Sequence, residues 1–363
     1  MIELQNDNLV VTFPEVHPEA RLTISPMRTL RIPDNDKEYP LPPGFSRFPM
    51  HHIDDYANRI PEGWLEKGGV LMPMYQSEAL WLNFSTDRID RNDECYPFAI
   101  KIGTGKVNAV SGYPWTECLS KFREKIQQDS APRGSSNRHA PVQQNYVVAP
   151  DQPWLDGYSI GSGVIRQFVA IPFGSGISVE KQITGEEAVG GLQVEIFPMK
   201  RSCFDERWPE KTRDYVVRGM LRYSITPPAC KAKRESSMSL VPGGRMRQEI
   251  YADPYGLDEW DLTASSRCFV HLVNSMQWQQ ITGERPPHEP FDAATYTEAG
   301  LPWFDYYDAD RLILKGSSNL SKLKSMKNSE VGDGDNLETI PGSDQIVQLR
   351  PRGQRRSSRI REY

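Results

Sequence analysis

The chain offers few residue combinations that could do chemistry, and spacing decides what each is worth. The densest metal-type cluster is His51-His52-Ile53-Asp54-Asp55. On a helix, His51 and Asp55 lie one turn apart on a single face and would give two ligands to zinc or a similar divalent ion, the others coming from elsewhere. The plainer reading is a solvated helix start whose acids suit its dipole. A second group, Asp253, Asp258, Glu259 and Asp261, surrounds Pro254-Tyr255-Gly256, and Asp305, Asp308 and Asp310 follow Trp303. Neither has EF-hand spacing, and turn and cap duties suffice for both, so Asp253 and Asp258 are metal candidates only beside that reading.

Gly157-Tyr158-Ser159-Ile160-Gly161 matches the G-x-S-x-G of a nucleophile elbow, which needs a buried strand before the serine and a helix after it. Pro153-Trp154-Leu155-Asp156 precedes it and a Gly-Ser-Gly turn follows, so a loop serine is expected. Cys268 and His271 suggest a thiol dyad, but three residues apart on a strand they point to opposite faces about 10 Å apart. Gly103-Thr104-Gly105-Lys106 lacks the earlier glycine of a P-loop, with Ile100 in its place. Three Pro-Trp pairs, ending at Trp115, Trp154 and Trp303, set large rings beside rigid turns, and Tyr255 sits on a turn of its own. These four aromatics are the candidate ligand contacts, for a protein or carbohydrate; core plugs at strand ends would look the same.

The elements that must position these residues read as short strands and turns. Phe98, Ile100 and Ile102 alternate with Lys101, the pattern of a strand in a half-exposed antiparallel sheet with Lys101 toward water, and Leu192 to Ile196 repeats it. His51 to Lys67 has helical spacing that Pro61 and Gly63 end early. With 29 prolines against 27 glycines, long helices are excluded. The predicted fold is mainly β (α+β), an antiparallel sandwich-like body with short helices. Gln182-Ile183-Thr184-Gly185-Glu186 recurs as Gln280 to Glu284, each copy preceded by Arg-x-Phe-Val-x-aliphatic, at Phe168 and Phe269. Ser178 and Ser275 are the expected caps, and Gly185 and Gly283 the expected stops. This predicts an internal pseudo-repeat with related halves at about 143–200 and 241–290. The domain reading is a β-rich part over 1–126, a flexible linker over 127–142, the β-rich part with the two halves over 143–315, and a disordered tail over 316–363.

The 363 residues carry a net charge of -5, without the basic excess that binding along a phosphate backbone requires. Five cysteines without a C-x-x-C motif read as free thiols of a reducing compartment. An acidic N-terminus predicts no signal peptide, and no apolar run approaches the roughly 20 residues of a membrane span. A cytoplasmic protein is expected. Six arginines between Arg350 and Arg361 could meet an anionic partner or serve nuclear import.

At Met72-Pro73-Met74-Tyr75-Gln76-Ser77-Glu78-Ala79-Leu80-Trp81, Val148 to Gly157, Gly243 to Tyr251 and Gly300 to Asp308, the chain resembles a family of uncharacterised bacterial and fungal proteins. The likeness covers most of residues 1 to 315. Some members look to be labelled integral membrane proteins, against the hydropathy of this chain. The resemblance implies no activity and no site residues. The functional expectation is therefore a soluble, non-enzymatic binding or assembly protein using turn-borne aromatics, without a cofactor and open to self-association. A hydrolase or metal-dependent enzyme built on the His51 or Asp253 acids is the alternative.

Overall fold

A computed structural model describes residues 1–35, 37–89, 94–123, 142–209, 237–287, 293–326 and 345–349. The body is mainly β. A ten-stranded sheet runs in the order Ile2–Gln5, Asn8–Thr12, Arg21–Thr29, Ala79–Thr86, Val164–Pro172, Met238–Arg247 and Glu38–Tyr39, with Gly44–Arg47, Trp154–Leu155 and Gly157–Gly161 pairing alongside. A seven-stranded sheet runs Val107–Asn108, Phe98–Thr104, Leu192–Pro198, Ser266–Val273, Val70–Pro73 and His51–His52, with Val147–Ala149 on Phe98–Thr104. Most pairings are antiparallel. One apolar core draws on both sheets, Leu22, Ile24 and Phe168 from the larger and Ile100, Val194 and Val270 from the smaller. Residues before and after the 127–142 stretch pair with each other in each sheet, as Leu80 does with Phe168 and Ile100 with Ile196. The proposed linker itself lies outside the described residues except for Val142 and its strand.

Burial corrects the reading of the alternating strands. Phe98–Thr104 and Leu192–Pro198 are buried along their whole length. Lys101, expected to face water, is 0% exposed. It stands opposite Glu195 in the strand register and binds that carboxylate at 2.7 Å. The Trp115 ring covers its ammonium at 4.2 Å from the centroid. An interior lysine is tolerable because each charge has a partner and a cation–π contact replaces lost water. Arg28 and Glu78 form a second buried pair at 2.6 Å, joining the Arg21–Thr29 strand to the start of Ala79–Thr86.

Both pentapeptides end short helices. Val179–Thr184 is capped by Ser178, whose Oγ accepts from Lys181 N at 3.2 Å, and stops at Gly185 with φ 79°. Ser275–Thr282 is capped by Asn274 rather than Ser275, and stops at Gly283 with φ 80°. Glycine suits both stops because a positive φ strains other residues. The likeness is one of helix ends. The strand carrying Phe168 lies in the larger sheet and that carrying Phe269 in the smaller, so the two entering strands have different neighbours.

Residues 316–326 belong to the body. Ser318–Ser321 is a short helix with Leu320 fully buried. Further on, Ile346–Leu349 pairs in parallel with Trp303–Tyr306. The basic tip, Arg350 to Arg361, lies outside the described residues. Cys95, Cys118, Cys203 and Cys268 are free, and Cys230 is not among the described residues. No helix among the described residues is long and apolar enough to cross a membrane.

Candidate functional site: an aromatic cleft with a buried carboxyl group

The strand Ala79–Thr86 alternates between its two faces: Leu80, Leu82 and Phe84 enter the core, and Trp81 is left half-buried on the opposite side. Trp154–Leu155 pairs at its side, Trp154 opposite Asn83 and Leu155 opposite Leu82. The two indoles meet at 6.5 Å between centroids and 78° between planes, forming a corner. Phe304 closes a third side. Its strand is held by reciprocal backbone bonds with Leu41, at 2.7 and 2.9 Å. Leu41, Pro42, Pro43 and Gly44 pass along the rim. Gly44 is required there because a Cβ would come within 2.8 Å of the Trp81 ring. Leu349, opposite Tyr306 in the parallel pair, completes the wall.

These residues line a cleft of about 190 Å³ with Asp156 at its base. Asp156 is 3% exposed. Gln248 fixes it from two sides: its Oε1 accepts from Asp156 N at 3.0 Å, and its Nε2 donates to Asp156 Oδ2 at 2.7 Å. Among the described residues no donor reaches Oδ1 and no cation pairs with the carboxylate. Burial pushes the carboxyl up to about 7, and the Gln248 bond only partly opposes this. Near neutrality Asp156 therefore has comparable access to its acid and carboxylate forms.

Of the four aromatics that the sequence points to, only Trp154 lines the cleft. Trp303 points to the other face of its strand, 0% exposed, against Tyr39 and Tyr296. Its ring is a core plug. Trp115 is committed to Lys101 and to Arg267, whose guanidinium lies 5.0 Å from the ring centroid. Tyr255 packs under Arg207 at 5.0 Å and edge-on to Trp260. Sequence reasoning misses Trp81, Phe304, Leu41 and Asp156.

The metal candidates do not converge. His51 lies on a two-residue strand, not a helix, and Asp55 falls in the following short 3₁₀ turn, exposed. The one-turn spacing therefore never forms. His51 instead meets Glu284 at 3.1 Å through Nε2 and the Tyr56 hydroxyl at 3.2 Å through Nδ1. Asp253 is a buried acceptor for Tyr146 Oη at 2.5 Å, Trp260 Nε1 at 3.2 Å and Tyr255 N at 2.7 Å, and it pairs with Lys121. Asp258 is exposed in a 3₁₀ turn. Among the described residues no three His, Cys, Asp or Glu side chains are grouped to hold a metal ion.

Ser159 lies inside the strand Gly157–Gly161, paired antiparallel with Val164–Pro172, so the strand-to-helix turn of an elbow is absent there. Cys268 and His271 share one strand, and both are buried. Burial pushes the Cys268 thiol up to about 12 and the His271 imidazole down to about 4, the latter while its Nε2 bonds Gly68 O at 2.9 Å and its ring stacks on Trp64. Neither group is poised for nucleophilic chemistry. A folded pKa below the unfolded 6.5 means that His271 contributes stability above pH 6.5 that is lost as pH falls toward 4. The expected loss is roughly 3 kcal/mol, at about 1.36 kcal/mol for each pH unit between 6.5 and 4. Urea unfolding of wild type and His271→Phe at pH 7 and pH 4 checks this: the variant should show the smaller drop, and equal drops would refute it.

No family model, characterised relative or solved structure matches the chain.

Proposed function

We propose that the protein is a non-enzymatic binding protein whose aromatic cleft takes a small, largely apolar ligand. The observation that supports this is the convergence of Trp81, Trp154 and Phe304, from three different strands, on one cleft with a single polar group at its base. Apolar walls with few placed polar groups are the usual form of a small-molecule site. At about 190 Å³ the space is below the roughly 300–1,000 Å³ of sites for drug-sized ligands, but an apolar cavity of about 150 Å³ already holds benzene. The candidate nucleophiles and bases lie apart from it, Ser159 in a paired strand and His271 stacked under Trp64.

Benzyl alcohol is a suitable neutral probe. Saturation-transfer NMR is expected to show it bound by wild type, with affinity at least tenfold lower in Trp154→Ala and unchanged in Tyr255→Phe. Equal binding by Trp154→Ala, or catalytic turnover that survives this substitution, would overturn the reading.

A further inference from the structure

We propose that the cleft selects a small organic ammonium ion, with the ammonium N–H groups donating to Asp156 and the organic part lying against the indoles of Trp81 and Trp154. The inference rests on the cleft being a ligand site, and names what that site recognises.

Three observations carry it. First, Asp156 is a carboxyl group held at the base of an otherwise apolar cleft, more than nine-tenths buried, with one oxygen bonded to Gln248 and the other without a donor among the described residues. A buried carboxylate is costly unless paired, and a ligand cation supplies the missing partner. Second, no charged side chain among the described residues pairs with it: Arg245, on the Met238–Arg247 strand, has a buried Nε without a hydrogen-bond partner but forms no ion pair with Asp156, and the others have partners elsewhere. Arg247 pairs with Asp305 at 3.1 Å, Arg166 with Asp34 at 3.4 Å and Arg28 with Glu78 at 2.6 Å, while Glu249 accepts from the Tyr251 hydroxyl at 3.1 Å. None of them neutralises Asp156, which is the one charged residue in the lining of the cleft. Third, the walls are indole rings, whose faces attract a cation more strongly than other side-chain rings do, and more strongly still away from water. An anion would meet the carboxylate and the same ring faces, and both repel it. A neutral ligand would fill the walls and, even where a hydroxyl donates to Oδ1, leave the charge of Asp156 uncompensated.

Ionisation of Asp156 then couples to binding. The carboxyl is pushed up to about 7, so its charged fraction rises about tenfold between pH 6 and pH 8. Affinity for a guest that is cationic at both pH values rises with it.

The test uses the full chain and two probes of nearly one shape, benzylammonium and benzyl alcohol, titrated by calorimetry at pH 6 and pH 8. Benzylammonium is expected to bind at least tenfold more tightly than benzyl alcohol at pH 8, and to weaken about tenfold at pH 6, with benzyl alcohol little changed. Asp156→Asn should remove both the preference and the pH dependence. The wild-type pH comparison keeps the proposal falsifiable even if that variant does not fold. Equal affinities of the two probes at pH 8 would overturn the ammonium inference and leave the cleft reading standing. Absence of binding by either probe would overturn both.

Discussion

Replacing Asp156 by asparagine is expected to stabilise the ligand-free protein at pH 8 by up to about 4 kcal/mol, and to change it little at pH 4. The carboxyl is raised by burial from 3.8 to about 7 in the folded state. A raised pKa means that the folded protein holds its proton where the unfolded chain has released it. The stability so gained is fully present below about pH 4 and lost as pH rises through 7. The size of the loss follows from the distance between 3.8 and about 7 on the pH scale, at about 1.36 kcal/mol for each pH unit. Asparagine keeps the shape and the Gln248 contact without the charge. Guanidinium unfolding of both proteins at the two pH values measures the difference, and a variant less stable than wild type at pH 8 would show that the charge costs nothing there. The sign is opposite to that of His271, so the two sites bend the pH profile in contrary directions and must be separated by mutation. A cation bound at Asp156 would offset this cost at pH 8.

Trp303→Ala is expected to cost about 3–5 kcal/mol, the range for emptying a fully packed aromatic site. The ring is 0% exposed and wedged between Tyr39 and Tyr296. Trp303→Phe should cost far less, because the indole Nε1 is buried without a hydrogen-bond partner among the described residues and its removal strands no acceptor. Thermal or chemical denaturation ranks the two. A Trp303→Ala protein within about 1 kcal/mol of wild type would place the ring outside the core. Phe304 sits next in the same strand on the opposite face, so the alanine variant also tests whether the cleft wall depends on the plug behind it.

The β-rich class was legible because alternation and proline content bear on local geometry. The depth of burial was not. Lys101 reads as a water-facing residue as long as its partner is unknown, and Glu195 is brought opposite it only by strand register across nearly a hundred positions. His51 shows the reverse error: helical spacing from Ile53 to Ala57 was real for one 3₁₀ turn, but pairing of His51 with Leu71 pulled the histidine into a strand. In the cleft, Trp154 was visible through the proline before it. Trp81 was hidden between Leu80 and Leu82, where an aromatic reads as one more core residue, although its odd position in the alternation marks the opposite face. Asp156 gave no signal, since a lone acid before a glycine is ordinary turn composition and only tertiary burial changes its chemistry. The repeated pentapeptide encodes the same helix stop in both copies, at Gly185 and Gly283, which is the part of the repeat that local sequence dictates.

The parallel strand Ile346–Leu349 gives the cleft a place in the order of biosynthesis. Its other walls come from residues 41–44, 81, 154 and 304, and both large sheets are completed by strands that end before residue 274. Chain synthesis therefore delivers every strand of both large sheets before it delivers Leu349. A chain that stops before Leu349 has all the strands of both sheets and lacks one wall of the cleft, so the sheets and the binding site are completed by different stretches of the sequence.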